Sequence, residues 1–271
     1  MDFLENKNKG GYLQFELALL AMPVSFGELM YSAIVYGCIY LGRTKSSKLA
    51  AEVRQSRWDA MPARFKAQTQ RANSDDVFAL WLGAEALGFT IEYPAKTLEI
   101  WNNIWVFLDK NRERLTRLVF VRIKAELMQR FYMGSFQEDE FRALCAIYSS
   151  LGRAWWKPIS SKIIGLRMRG MCKEAHMRME EKISGRQRLS AYRINALCRK
   201  LHRLRFFARY SIGRSACYSN RLTSEALAEK IIEQRIHKVE HEKKTRDERN
   251  ALMAKLRRVT LEQHGSGEAV T

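Results

Sequence analysis

Apolar positions are densest near the start of the chain. Between Leu17 and Leu41 the only charged side chain is Glu28. Such a stretch is either a membrane span or a pair of buried helices. A span needs about 20 uninterrupted apolar residues, and Pro23 and Glu28 interrupt this one. The pattern over residues 12–42 therefore predicts two buried helices broken near residues 23–27. Leu29, Ala33, Tyr36 or Gly37, and Tyr40 fall at helical spacing and suit a core face, and Gly42 is the expected stop. Residues 43–76 are polar and basic, with a helix expected over 47–55. A further helix is capped by Ser74, carries Asp75 and Asp76 in its first turn, runs through Phe78, Leu82, Ala86 and Leu87, and stops at Gly88. Residues 89–93 alternate apolar with polar and predict a short strand closed by Pro94. Helices follow over 96–108 and 111–132. In the first, Trp101 and Trp105 share a face, either as a core stripe or as a platform for stacking bases.

Gly134 and Ser135 mark the expected domain boundary. Beyond them a helix over 138–151 places Phe141, Leu144, Cys145 and Tyr148 on one face, and Gly152 stops it. An extended piece is expected over 155–159, then helix between about 161 and 183, then a turn at Ser184 and Gly185. Ser190 is a good N-cap for a helix to about Arg205. Its core stripe is Ile194, Leu197, Cys198, Leu201 and Leu204, with Arg193, Arg199, Lys200 and Arg203 pointing outward. Two β-prone runs, 207–211 and 216–219, flank a Gly-containing turn over 212–215, which predicts a hairpin. Residues 223–258 read as one long charged helix. Leu227, Ile231, Ile232, Ile236 and Val239 form a narrow stripe, then 241–250 is almost wholly polar. Such a helix packs at its start and projects, or pairs with another copy, at its end. The expected organisation is a helical, Trp-rich domain (1–135), a basic domain (136–222), a charged helix (223–262) and a disordered tail (263–271).

Charge sharpens this picture. The chain has 271 residues, 47 of them Lys or Arg and 29 Asp or Glu, a net charge of +18. Residues 1–135 hold 18 basic and 14 acidic side chains, whereas residues 136–271 hold 29 and 15. Within residues 153–221 there are 18 basic side chains and three acidic ones, Glu174, Glu180 and Glu181. A solvated face normally mixes both signs, so a stretch this one-sided calls for a polyanion.

The order helix, extended piece, helix, basic helix and hairpin over residues 138–222 resembles the winged helix-turn-helix family. The resemblance is clearest from Leu189 to Leu222 (Leu-Ser-Ala-Tyr-Arg-Ile-Asn-Ala-Leu-Cys-Arg-Lys-Leu through Tyr-Ser-Ile-Gly-Arg to Tyr-Ser-Asn-Arg-Leu). It implies a mainly α fold in which the helix opening at Ser190 is a recognition helix in a DNA major groove. It also implies that the hairpin at Gly213 and Arg214 is the wing. One departure is the long stretch before that helix, holding Arg167, Arg169, Lys173, Arg178, Lys182, Arg186 and Arg188. It implies an extra helix or shifted boundaries. Side chains near the start of a recognition helix reach base edges, here Tyr192, Arg193 and Asn195. Arg suits guanine and Asn suits adenine. Arg186, Arg188, Arg199, Lys200, Arg203, Arg209 and Arg214 are the expected phosphate contacts.

Catalytic signals are weak. The chain has no phosphate-binding loop, dinucleotide fingerprint, H-E-x-x-H or G-x-S-x-G. Its five histidines form no His-hydrophobe-His pair. Asp75 and Asp76 serve either as Mg²⁺ ligands or as helix-start carboxylates. Cys172 with His176, and Cys198 with His202, each place a thiol and an imidazole on one helix face, a possible zinc set, though Cys198 also fits the core stripe. Five widely spaced cysteines without C-x-x-C suit reduced thiols in the cytoplasm, and no signal peptide is recognisable. The expectation is a cofactor-free, non-catalytic binder of duplex DNA, a replication initiator or transcriptional regulator of a plasmid- or phage-like element. The alternatives are an RNA-binding subunit, stacking bases on Tyr192, Tyr210 and Tyr218, and a membrane-associated adaptor anchored by residues 12–42.

Overall fold

The computed structural model describes residues 11–111, 119–134, 136–172, 189–212 and 215–265. Helix makes up 67% of the structure, with small antiparallel sheets and a long C-terminal helix. Contacts divide the chain into two units, Met1–Arg221 and Leu222–Thr271.

In the first unit, β1 (Tyr12–Glu16) pairs antiparallel with β2 (Phe120–Lys124), Tyr12 opposite Lys124 and Glu16 opposite Phe120. Leu13, Phe15, Val121 and Ile123 turn inward from this ribbon and are fully buried. One stretch of 3₁₀-helix, Leu17–Ala21, leads on to α1 (Phe26–Ser46). A capping box opens α1. Ser25 Oγ accepts from the Glu28 amide at 3.4 Å, and the Glu28 carboxylate accepts from the Ser25 amide at 3.0 Å, satisfying two amides at the helix start. Glu28 thus sits exposed at a helix end, although it interrupts an apolar run. Then come α2 (Ala51–Asp59), α3 (Ala63–Lys66), α4 (Ser74–Leu87), α5 (Pro94–Asn111) and, after β2, α6 (Ala125–Met133).

Glycines set the closest approach in this layer. A Cβ on Gly42 would overlap the Ala79 carbonyl, and one on Gly83 would overlap the Cys38 carbonyl. Helices α1 and α4 therefore cross backbone against backbone, a separation that only glycine allows.

Helix α7 (Glu138–Leu151) occupies the centre, and every residue from Glu140 to Leu151 is buried. Around it lie β3 (Lys157–Pro158), α8 (Ser161–Arg167), α9 (Ala191–Arg203), β4 (Ala208–Ile212) and β5 (Ser215–Ser219). The three strands form one antiparallel sheet in the order β3-β5-β4. An aromatic cluster ties this part to α6. Phe131 lies 4.3 Å from Phe136, 4.8 Å from Phe206 and 5.8 Å from Phe141, centroid to centroid. Gly134 therefore lies within one unit, with a shared core on both sides. The second unit is α10 (Ser224–Gly265), 42 residues and about 63 Å long at 1.5 Å per residue. Ile232, Ile236 and Val239 are exposed along it, as are Leu252, Met253 and Leu256.

Several expectations change. Residues 12–42 hold a strand, a 3₁₀ turn and one helix, because Leu13 and Phe15 follow a two-residue period that finds its partner in β2. For the same reason residues 120–124 are strand, not the middle of a helix. Gly42 does not stop α1 but lies inside it. Helix α2 starts four residues later than expected, since none of its residues is buried and no periodicity fixes it. Asn73, not Ser74, caps α4, its Oδ1 accepting from the Asp75 amide at 2.9 Å. Residues 89–93 form no strand; Phe89 donates its amide to the Ala84 carbonyl at 2.8 Å and is buried without a strand partner. Helix α8 ends at Arg167. The turn at Ser184 and Gly185 and the rest of the proposed 161–183 helix beyond Cys172 lie outside the described residues, as does the tail from 266.

The α1–α4 crossing predicts that Gly42→Ala or Gly83→Ala destabilises the protein by about 1–3 kcal/mol through overpacking. Gly27→Ala, with nothing within 4 Å of its added Cβ, should be neutral or stabilising. Chemical denaturation of the three variants checks this; equal stability would remove the backbone contact.

Candidate nucleic-acid interface

The site is assembled on α9. Ser190 caps it, its Oγ accepting from the Arg193 amide at 3.2 Å. Ile194, Cys198 and Leu201 seat it on the core and leave Tyr192, Arg193, Arg199, Lys200 and Arg203 exposed. Leu204, beyond the helix end, is exposed rather than part of the stripe. Beside α9 stands the β4–β5 hairpin, with Arg209 opposite Tyr218. Arg209 Nε donates to Tyr218 Oη at 3.4 Å, its guanidinium lies 5.8 Å from that ring, and its Nη2 reaches Asn195 Oδ1 at 3.5 Å. Asn195 Nδ2 donates to the Ala191 carbonyl at 3.0 Å. Helix and hairpin are thus joined through one arginine.

Between them runs a groove of about 760 Å³. Tyr192, Asn195 and Arg199 come from α9, Arg209 from β4, and Ser160 and Ile163 from the start of α8. No carboxylate lines it among the described residues. Tyr192 is 79% exposed at its mouth. The charge lining the groove is therefore cationic, and its aromatic and amide groups stand beside that charge.

Two cations expected at this face are held elsewhere. Arg193 Nη2 lies 3.2 Å from Asp139, and Lys200 is paired with buried Glu140, both on α7. Neither Arg193 nor Lys200 lines the groove. Arg199 and Arg203 form no ion pair with a described carboxylate. Arg186, Arg188 and Arg214 lie outside the described residues. Ser160 and Ile163 were not foreseen; they enter because β3 joins the sheet and carries the start of α8 to the groove.

No protein-family profile, curated protein or solved structure matches this chain.

Other candidate groups have structural partners. Asp76 accepts from Arg43 and from Trp101 Nε1 at 3.1 Å, and Asp75 accepts from Arg54 at 2.6 Å. Buried Trp101 belongs to the core, its ring 5.8 Å from that of Tyr36, while Trp105 is exposed. Of the zinc set, Cys198 is buried in the stripe, His202 Nδ1 lies 3.2 Å from the Phe207 carbonyl, Cys172 is half-buried, and His176 is outside the described residues. Among the described residues no three His, Cys, Asp or Glu side chains gather to hold a metal. Tyr218 is buried, so its face is unavailable for stacking, while Tyr210 is half-buried. No described helix is long and apolar enough to cross a membrane, and most apolar side chains of residues 12–42 are buried, Tyr12 and Tyr40 being exposed.

Burial pushes the thiols of Cys38, Cys145 and Cys198 upward, which lowers the reactive thiolate fraction at pH 8. Iodoacetamide at pH 8 should therefore label half-buried Cys172 well before these three. Peptide mass spectrometry of the native protein checks the order. Labelling of Cys198 as fast as Cys172 would show that α9 is not seated on its stripe.

Proposed function

We propose that this protein binds duplex DNA without catalysis, as a winged helix-turn-helix protein whose recognition helix is α9 and whose wing is the β4–β5 hairpin. The observation that carries this is the carboxylate-free groove joining Tyr192, Asn195 and Arg199 of α9 to Arg209 of the hairpin. The element order from α7 to β5 and the strand order β3-β5-β4 support the fold reading. In it, α9 enters the major groove, Tyr192 and Asn195 face base edges, and Arg199, Arg203 and Arg209 neutralise phosphates. Arg193 and Lys200 hold α9 on α7. The narrower role is that of a replication initiator or transcriptional regulator of a plasmid- or phage-like element in the cytoplasm. No cofactor takes part, and the helix over 223–258 supplies a surface for a second copy or a partner protein.

A second reading, an RNA-binding subunit, is favoured by the exposure of Tyr192, whose ring is free to stack an unpaired base. Fluorescence-anisotropy titrations with duplex DNA, single-stranded DNA and RNA of equal length, at two salt concentrations, separate the readings. Tightest binding to duplex is expected; preference for RNA or single strands would replace the first reading with the second.

In the same assay, Arg199→Ala and Arg209→Ala should each weaken duplex binding and shallow the salt slope by about one unit. Asn195→Ala should cost about 1–3 kcal/mol on a selected site and far less on random duplex. Arg193→Ala should have the smaller effect, because Asp139 holds that guanidinium. Equal losses for Asn195→Ala on every sequence would show that it reads no base.

A further inference from the structure

A second groove, of about 360 Å³, lies at the opposite end of α9. Tyr192 and Arg205 are separated along the helix by about 20 Å, at 1.5 Å per residue. Arg122 and Lys124 reach this groove from β2, Arg205 from the end of α9, and Asn220 and Arg221 from the end of β5. Tyr12 of β1 forms a wall, with the Arg122 guanidinium 4.5 Å from its ring centroid. The lining thus holds four cations and one carboxylate, Glu126. None of the four forms an ion pair with a described carboxylate. Like charges gathered in a concavity repel unless an anion enters.

Two local features add to the charge. Arg205 has φ 60°, the one described non-glycine residue with a positive φ. Its amide donates to the His202 carbonyl at 2.9 Å, and that of Phe206 donates to the Leu201 carbonyl at 3.1 Å. This is the Schellman stop, in which the left-handed position usually belongs to glycine. A long cation stands there instead, in a conformation that disfavours a side chain, and it lines the groove. The second feature is Asn220 Oδ1, which is buried and has no hydrogen-bond partner. A buried acceptor left unmet is costly. Meeting it requires the Asn220 side chain to turn into the groove it lines; a phosphate dianion then brings no proton to it, whereas a nucleobase brings N–H groups.

We propose that this second groove binds a nucleoside phosphate: the phosphate on Arg122, Arg205 and Arg221, the base with an N–H toward Asn220 Oδ1. The ligand is either a free nucleotide or the phosphorylated end of a strand. The site does not depend on duplex binding at the first groove.

Isothermal titration of the full chain tests it with the four nucleoside 5′-monophosphates, inorganic phosphate, and a single-stranded tetranucleotide with or without a 5′-phosphate. Binding of a monophosphate identifies a free nucleotide. Binding of the tetranucleotide only when phosphorylated identifies a strand end. Arg205→Gly relieves the backbone and removes the charge, so it should melt no lower than the wild type yet lose at least tenfold in affinity. Arg122→Ala should lose a similar factor, and Arg199→Ala, at the first groove, should bind as the wild type does. The proposal is overturned if no phosphorylated probe binds, if Arg205→Gly binds unchanged, or if Arg199→Ala loses as much. Equal affinity for inorganic phosphate and every monophosphate overturns the nucleoside part.

Discussion

The burial of α7 on all sides is the constraint on which the first unit depends. A helix covered on one face needs one neighbour; one covered from Glu140 to Leu151 needs neighbours all round. It meets the 3₁₀ turn and β2 from the N-terminal part and α8, α9 and β5 from the basic part. Small residues make this possible. Ala143, Ala146, Ser149 and Ser150 are buried, and both serine hydroxyls donate back to the Ala146 carbonyl, at 2.9 and 2.7 Å. Their polar groups are therefore satisfied within the helix. A segment whose charge differs from that of the preceding residues is nevertheless folded onto the same core.

Two charged residues on α7 fix how these neighbours meet. Arg142 is only 3% exposed, yet its guanidinium donates to the Leu20 carbonyl and, at 3.0 Å, to the Met168 carbonyl, and it pairs with Glu138 at 2.9 Å. It joins the 3₁₀ turn to the end of α8. Glu140 is buried and serves twice, accepting from the Gln137 amide at 3.0 Å and pairing with Lys200 of α9. Buried charges are tolerated where hydrogen bonds and counter-charges surround them. The orientation of α9, and hence which of its cations face outward, is set partly from α7.

Legibility in the sequence followed the range of the forces involved. Helix α7 was readable because Gly152 stops it; α4 because Gly88 takes the left-handed φ of 76°; α9 because Ser190 caps it and Ile194, Cys198 and Leu201 repeat. The same periodicity made Tyr192, Asn195 and Arg199 legible as outward groups, and the hairpin pattern placed Arg209 beside them. The ion pairs of Arg193 and Lys200 were not legible because their partners, Asp139 and Glu140, lie more than 50 residues away. The second groove was invisible for a similar reason. It draws on β1, β2, the stop of α9 and the end of β5, and the ribbon looked helical on both of its sides.

That ribbon also bears on how the chain is made. Strand β1 ends at Glu16, and its partner begins at Phe120. Synthesis proceeds at roughly 5–20 residues per second, so β1 waits on the order of 5–20 s for the strand that pairs its backbone. Throughout that interval Leu13 and Phe15, fully buried in the finished protein, have no ribbon to cover them. Late closure of so distant a pair slows folding and leaves an apolar strand edge open to other chains. The newborn chain is therefore open to aggregation at its first strand, the one that in the folded molecule borders the second basic groove.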